Sequence, residues 1–375
     1  MENSLYIHIP FCKRKCFYCD FYSAPYNRGL SHEYIEALND QIDGLAGRFS
    51  TVYIGGGTPS ALEPELLARL LRALEPKLAA GAEFTVEANP ESLDDKRIKI
   101  MSGLGVNRLS IGIQSLRDGK LKKLRRLHDA KRARDSVYLA AKGGFSNISV
   151  DLIFGVWGES GEDWEREVEE AAELPVKHIS CYSLTYEKGT PLFRAMTERA
   201  VLPVEEELAS GMYESAMDLL AGRGFGQYEI SNFAKRGPYG CRHNMNYWEN
   251  NPYTGLGASA VSYTGGVRAR NVSDAREYVK RCKEGAGLIE SSEKLSAVKR
   301  ARETAAVKIR TSDGIGFKWF RDKTGYDLMA LSHGAVAGLL EKDLIRYKRA
   351  GERLTGIALK HRGYFFCDMV SSALL

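Results

Sequence analysis

A short apolar run recurs six times before residue 185, and each one gives way to glycine or polar residues and then to a helical period. The runs lie at residues 5–9, 51–54, 84–88, 108–113, 148–154 and 179–184. Between them, apolar residues spaced by three and four predict helices over 31–45, 63–78, 94–104, 118–127, 130–142 and 163–174. Ser31 reads as the N-cap of the first helix, and Gly143-Gly144 as the stop of the fifth. Strands alternating with helices pair in parallel through right-handed crossovers. Six such units are fewer than the eight of a closed barrel. The expected fold is therefore α/β, a partial (β/α)6 TIM-type barrel, with an open doubly wound sheet as the alternative. In either, functional side chains gather at the carboxyl ends of the strands. Gly55 to Thr58, Glu87, Gln114 and Asp151 fall there.

A further amphipathic helix is expected over 205–220, followed by a stretch at 227–263 dense in Asn, Tyr and Gly. Helical periodicity returns near Lys294 and runs helix, short helix, helix, a brief strand at 344–348 and a last helix. That order suggests a small helical, winged-helix-like domain. Three parts are expected: a barrel over 1–225, a connecting region over 226–290 and a terminal domain over 291–375. A chain of 375 residues suffices for one large core and a second, smaller one. The balance of 53 basic and 48 acidic residues is too mild and dispersed to imply nucleic-acid binding, and the terminal domain has no compact basic recognition helix. No apolar run approaches the roughly 18 residues of a membrane span. Met1 to Ser4 lead straight into the first strand without a signal peptide pattern. A cytoplasmic protein is expected, with peripheral membrane contact at most.

Seven cysteines do not read as a disulfide framework in such a chain. Cys181, Cys241, Cys282 and Cys367 are scattered, and their default role is that of small hydrophobes. Cys12, Cys16 and Cys19 instead share one loop after the first strand. Three soft ligands are one short of a closed tetrahedral set. Zinc sites usually add a second cysteine pair, and the sequence has none. A cubane iron–sulfur cluster held by three thiolates would keep one iron open for a small molecule.

The spacing of the three cysteines matches the radical-SAM signature. Further stretches occur in order: Tyr6-Ile-His-Ile-Pro-Phe-Cys12, Gly55-Gly-Gly-Thr-Pro-Ser60, Val86-Glu-Ala-Asn-Pro90, Ile111-Gly-Ile-Gln-Ser115, Asp151-Leu-Ile-Phe-Gly155 and His243-Asn-Met-Asn-Tyr-Trp248. Together they resemble the radical-SAM group that contains oxygen-independent coproporphyrinogen III oxidase and related heme chaperones. The resemblance implies a [4Fe-4S] cluster on Cys12, Cys16 and Cys19, with S-adenosylmethionine chelating the open iron. It implies that Gly56 and Gly57 admit the methionyl end. Thr58, Glu87, Gln114, Arg126 and Asp151 would bond the methionyl and ribose ends, and Tyr6 and Tyr18 would flank the cluster and the adenine. In the chaperones the His-Asn-x-x-Tyr-Trp motif is associated with heme. Heme contact is thus expected at His243, Tyr247 and Trp248, with Cys241 as an alternative thiolate ligand.

Two functions are compatible with these motifs: radical oxidative decarboxylation of coproporphyrinogen, or delivery of heme to an apo-hemoprotein acceptor. The oxidase has a further cysteine where this chain has Phe21, and a long arm before its first strand. The His243–Trp248 motif belongs with the chaperones. All three features favour the chaperone. An electron donor of flavodoxin or ferredoxin type is implied as a partner. Lys13, Arg14 and Lys15 form either a solvated loop or a docking patch for it. One departure stands out: the family's usual Gly-Leu-Pro-Gly is here Gly155-Val-Trp157-Gly.

Overall fold

The computed structural model describes residues 3–375. β1 (Ser4–Ile9) opens the sheet, and a short parallel bridge between β2 (Phe11–Cys12) and β3 (Ala24–Pro25) closes the cysteine loop on its own ends. Then come α1 (Arg28–Asp43), β4 (Phe49–Gly56), α2 (Pro64–Leu74), β5 (Leu78–Ala88) and α3 (Asp95–Gly103). β6 (Arg108–Gln114), α4 (Asp118–Lys123), α5 (Ala130–Lys142), β7 (Ile148–Phe154), α6 (Gly161–Glu173) and β8 (His178–Ser183) complete the series. β1, β4, β5, β6, β7 and β8 lie side by side in that order, every neighbouring pair parallel. This is the α/β series the alternation predicts.

Strand side chains alternate between two faces. Leu5, Ile7, Val52, Ile54, Val86, Ile111, Val150 and Leu152 pack with the helices in one core. The opposite face carries Tyr6, His8, Tyr53, Glu87, Ser110, Asp151 and Tyr182, so the concave interior is polar and aromatic. Helix starts follow side-chain capping: Asp129 accepts from Arg132 N and Ser160 from Asp163 N. The expected cap of α1 is corrected. Asn27, not Ser31, accepts from Leu30 N, and Ser31 sits one turn inside, buried and bonded to Arg28 O.

Past β8 run α7 (Pro191–Thr197), α8 (Glu206–Gly222), β9 (Phe225–Gln227), β10 (Asn232–Lys235), α9 (Arg242–Trp248), β11 (Tyr253–Leu256), β12 (Val261–Thr264), β13 (Val267–Asn271), α10 (Ala275–Glu284) and β14 (Ile289–Lys294). β11 joins β1 in parallel, β12 to β14 extend that edge antiparallel, and β10 and β9 extend the other. Among the described residues the sheet has twelve strands, and the connecting region is largely part of it.

The remaining elements are α11 (Ala297–Lys308), β15 (Ile315–Gly316), α12 (Phe317–Thr324), α13 (Leu328–Glu341), β16 (Ile345–Ala350), β17 (Arg353–Leu359), α14 (His361–Phe365) and α15 (Cys367–Leu374). They enclose a second core that includes Ala305, Ile309, Phe320, Val336 and Ile357. Three helices, a short strand and a hairpin in the sheet order β15-β17-β16 make a winged-helix-like unit. It meets the barrel through Arg268 on Glu303 at 2.8 Å and Asn250 on Thr304 at 3.0 Å. Among the described residues no helix is long and apolar enough to cross a membrane.

Candidate functional site

The carboxyl ends of β4 to β8 and the cysteine loop enclose a cavity of about 420 Å³. Cys12, Cys16, Cys19, Tyr18, Gly56, Gly57, Thr58, Glu87, Gln114, Arg126 and Asp151 all line it. Tyr6 does not. It lies deeper in the barrel, its hydroxyl 3.0 Å from His8 Nδ1 and its ring 6.2 Å from that of Tyr53. The register of β1 explains the difference, because residue 6 is three positions short of the strand's carboxyl end.

Backbone pairing fixes Cys12. Gly57 N donates to Ile9 O at 2.8 Å, Thr58 N to Phe11 O at 2.9 Å, and Tyr26 N to Cys12 O at 2.9 Å. A Cβ on Gly57 would stand 2.9 Å from Phe11 O and 3.0 Å from Cys12 Sγ, so only glycine permits this approach. Gly56 has φ +110, and a Cβ there would meet the His8 ring at 2.6 Å. On the other wall, Arg126 Nη1 donates to Cys16 Sγ at 3.1 Å, and its Nη2 to Asn89 Oδ1 at 2.6 Å and Gly112 O at 2.8 Å. Arg126 Nε is buried without a partner. Gln114 holds φ +61 where the pairing of β6 with β7 shifts register, a backbone conformation uncommon outside glycine and worth noting at a site.

Burial raises the Glu87 carboxyl to about 7, with Asp151 adding to the rise and the Tyr53 and Gly56 bonds opposing it. Tyr53 Oη donates to Glu87 Oε1 at 2.7 Å and Gly56 N to Oε2 at 3.1 Å. Asp151 is raised as well, again by burial, against hydrogen bonds from Ser180 and Ser110. Two buried carboxyls on one cavity suit a cationic guest, which would favour their ionised forms.

Among the described residues no three His, Cys, Asp or Glu side chains converge on one point as a single ion requires. The three thiols line the one cavity from a single loop, and three thiolates can each bond a different iron of a polynuclear cluster. Among the described residues the Arg126 Nε has no partner, and in a cavity shared with the three thiols it fits a small molecule with a carboxylate lying against that cluster. Asn89, Ser110, Gly112 and Tyr182 also line the cavity and were not singled out from the sequence. Asn89 carried a legible signal, standing two positions past Glu87 at a strand end.

The expected heme residues lie at the other end of the barrel. His243 on α9 packs under the amino ends of β1 and β4 and is 1% exposed. Its Nδ1 is 2.8 Å from Thr51 Oγ1 and its Nε2 is 3.0 Å from Tyr247 Oη. Burial lowers its pKa to about 3. Cys241 is buried, its Sγ 3.6 Å from Glu83 Oε1, and the Arg242 and His243 amides donate to the same carboxylate. The Arg310 guanidinium lies 5.4 Å from the Trp248 ring centroid, at the joint with the terminal unit. Iron ligation by His243 or Cys241 would therefore require α9 to move out of this arrangement. Both imidazole nitrogens are engaged, and α9 plugs the barrel.

A profile of the Radical SAM superfamily matches residues 6–171. The chain is 36% identical to the heme chaperone HemW of Bacillus subtilis, with 100% of this chain and 99% of the relative aligned. It is 40% identical to HemW of Escherichia coli over 68% of this chain and 69% of the relative. The solved coproporphyrinogen III oxidase HemN of Escherichia coli superposes with a TM-score of 0.85 over 100% of this chain and 90% of its own, at 20% identity, a likeness of fold. The superfamily implies a [4Fe-4S] cluster and S-adenosylmethionine, the two groups that the cavity fits. The chain belongs to the radical SAM superfamily and, within it, to the HemW family.

Proposed function

We propose that this protein is a heme chaperone: it binds heme and passes it to an apo-hemoprotein in the cytoplasm, with a [4Fe-4S] cluster and S-adenosylmethionine in the barrel. The observation that carries this reading is full-length similarity to HemW at 36% identity. Phe21 supports it. It stands 65% exposed at the cavity's edge, where the oxidase has a further cysteine.

In this reading Cys12, Cys16 and Cys19 ligate the cluster. Gly56 and Gly57 would border the methionyl end, and Arg126 Nε would be the donor available to its carboxylate. Thr58, Glu87, Gln114 and Asp151 take the amino and ribose groups, and Tyr18 borders the adenine. When bound, the pair supplies one-electron cleavage of a sulfonium–carbon bond. The chain's own contribution is to orient the cofactor and to keep Glu87 and Asp151 ready to ionise against it. A flavodoxin- or ferredoxin-type donor supplies the electron.

Anaerobic reconstitution with iron and sulfide, followed by separate challenge with heme and with coproporphyrinogen, tests the reading. Stoichiometric heme uptake, and transfer to an apo-hemoprotein, is the expected result. Formation of protoporphyrinogen would overturn it in favour of the oxidase.

A further inference from the structure

Cys12 and the Cys16–Cys19 turn are held by different means. Cys12 is fixed by backbone pairing to the strand ends. The turn has one weak backbone bond of its own, Cys19 N to Cys16 O at 3.4 Å, and an apolar side chain between its thiols, Phe17. Phe17 is 9% exposed and belongs to a satellite core separate from that of the barrel, with Leu124, Ile153, Val156, Leu184 and Leu192. Leu192 N donates to Phe17 O at 3.0 Å, and the Arg125 guanidinium covers the Phe17 ring at 4.2 Å.

Trp157 closes this small core. Its indole meets Phe17 edge-on, centroids 6.2 Å apart at 63°. Gly155 and Gly158, at φ +75 and +68, turn the chain sharply on both sides of the indole. Lys123 Nζ donates to Trp157 O at 2.5 Å and sits 6.0 Å from the ring, tying the loop to α4. Val156 N is held by Glu159 Oε2 at 3.0 Å, and Glu159 Oε1 by the buried Lys120 at 2.5 Å. The loop bearing the indole is thus anchored from two sides, while the turn it touches is held chiefly from outside it, by Leu192 N on Phe17 O, by Arg126 on Cys16 Sγ and by the packing on Phe17.

We infer that Trp157 is a positioning residue for the iron–sulfur cluster: by packing on Phe17 it sets the separation of the Cys16 and Cys19 thiols. The physical reason is preorganisation. A ligand turn with little hydrogen bonding of its own keeps its geometry only through what packs behind it. A proline at this position would leave Phe17 without an aromatic wall, and the turn would rely on the aliphatic neighbours of Phe17, on Arg125 and on the Arg126 bond to Cys16.

The inference rests on Cys12, Cys16 and Cys19 being the cluster ligands. Wild-type, Trp157→Phe, Trp157→Leu and Trp157→Ala proteins are reconstituted anaerobically. Iron release to a ferrous chelator, the electron paramagnetic resonance spectrum of the reduced cluster and the thermal midpoint of the apo-protein are then recorded. Iron release from Trp157→Ala is expected to be about tenfold faster or more. Its spectrum is altered, Trp157→Leu is intermediate, and Trp157→Phe is close to wild type. The apo midpoints change far less than the release rates. Equal release from all four proteins overturns the inference, as does release that merely tracks the loss of apo stability. A wild-type protein that takes up no cluster overturns the ligand assignment instead.

Discussion

The imidazole of His243 stacks on the ring of Tyr53, centroids 5.1 Å apart and planes 25° from parallel, and the Tyr53 hydroxyl reaches Glu87 on the cavity wall. One tyrosine thus links the plug at the amino end of the barrel to the cofactor cavity at the carboxyl end. The His-Asn-x-x-Tyr-Trp motif acquires a physical role from this. It closes the barrel and sets the floor on which Tyr53 and Glu87 stand.

Removing that imidazole empties a buried site and takes a partner from Thr51, which keeps its bond to Ser4 Oγ, and from Tyr247. His243→Ala should cost about 2–4 kcal/mol of folding stability, read as a lower urea midpoint. The heme absorbance band per folded molecule should stay as in wild type. A lost or shifted band at unchanged stability would make His243 an iron ligand after all. The pH dependence gives a second readout. His243 titrates near 3 when folded, against about 6.5 when unfolded. Its neutral form therefore stabilises the fold fully above 6.5, and that contribution drains away as pH falls toward 3. The stability gap between wild type and His243→Asn should narrow over that window.

Glu87 governs the other end. Burial holds its carboxyl near 7, so below that pH it is mostly neutral. S-adenosylmethionine carries a sulfonium and an ammonium and prefers the carboxylate. Calorimetric affinity should fall as pH drops below 7, by up to about tenfold per unit. Binding at pH 6.5 should release a proton, visible as a dependence on buffer ionisation enthalpy. Glu87→Gln should bind more weakly with a flatter profile. A profile identical to wild type in Glu87→Gln would remove Glu87 from the cofactor site.

Gly57 offers a steric test. A Cβ there meets backbone at Phe11 O and Pro10 C, both at 2.9 Å, and neither can move without opening the β1 end. Gly57→Ala should cost about 1–3 kcal/mol and lower the iron content after reconstitution. Gly103→Ala, with nothing within 4 Å of the added methyl, should leave both unchanged. Iron content and thermal midpoint measured side by side check the contrast.

The parallel strands were legible because each carries its own signal: β7 reads Ile148-Ser-Val-Asp151-Leu-Ile-Phe154, apolar toward the helices, and is followed by glycine. β11 to β14 were not. Val261–Thr264 is four residues long and Ile289–Lys294 is exposed throughout, so their strand form comes from pairing outward from β1 rather than from a hydrophobic pattern. The cavity residues could be read from their places at strand ends. The burial of His243 could not be read, because its partner Thr51 lies 192 residues away and a polar motif carries no mark of burial. Tyr6 shows the same limit at shorter range: the motif was visible, but its depth in the barrel was not.

The basic triplet of the cysteine loop divides once its contacts are known. Arg14 Nη2 donates to Arg125 O at 2.7 Å and Arg126 O at 3.1 Å, so it ties the loop to the segment that carries the Cys16 partner Arg126. Lys13 and Lys15 are exposed and have no such tie to the backbone. Reversing both, as Lys13→Glu with Lys15→Glu, should slow cluster reduction by an acidic flavodoxin several-fold at low salt, with the difference shrinking as ionic strength rises. Reduction by dithionite should be unchanged. Arg14→Glu should impair both, because the loop itself loosens and cluster retention falls with it. Stopped-flow bleaching of the cluster with each reductant, at two salt concentrations, separates the outcomes. Equal slowing with flavodoxin and dithionite in the double lysine variant would mean that these charges support the loop rather than guide a partner to it.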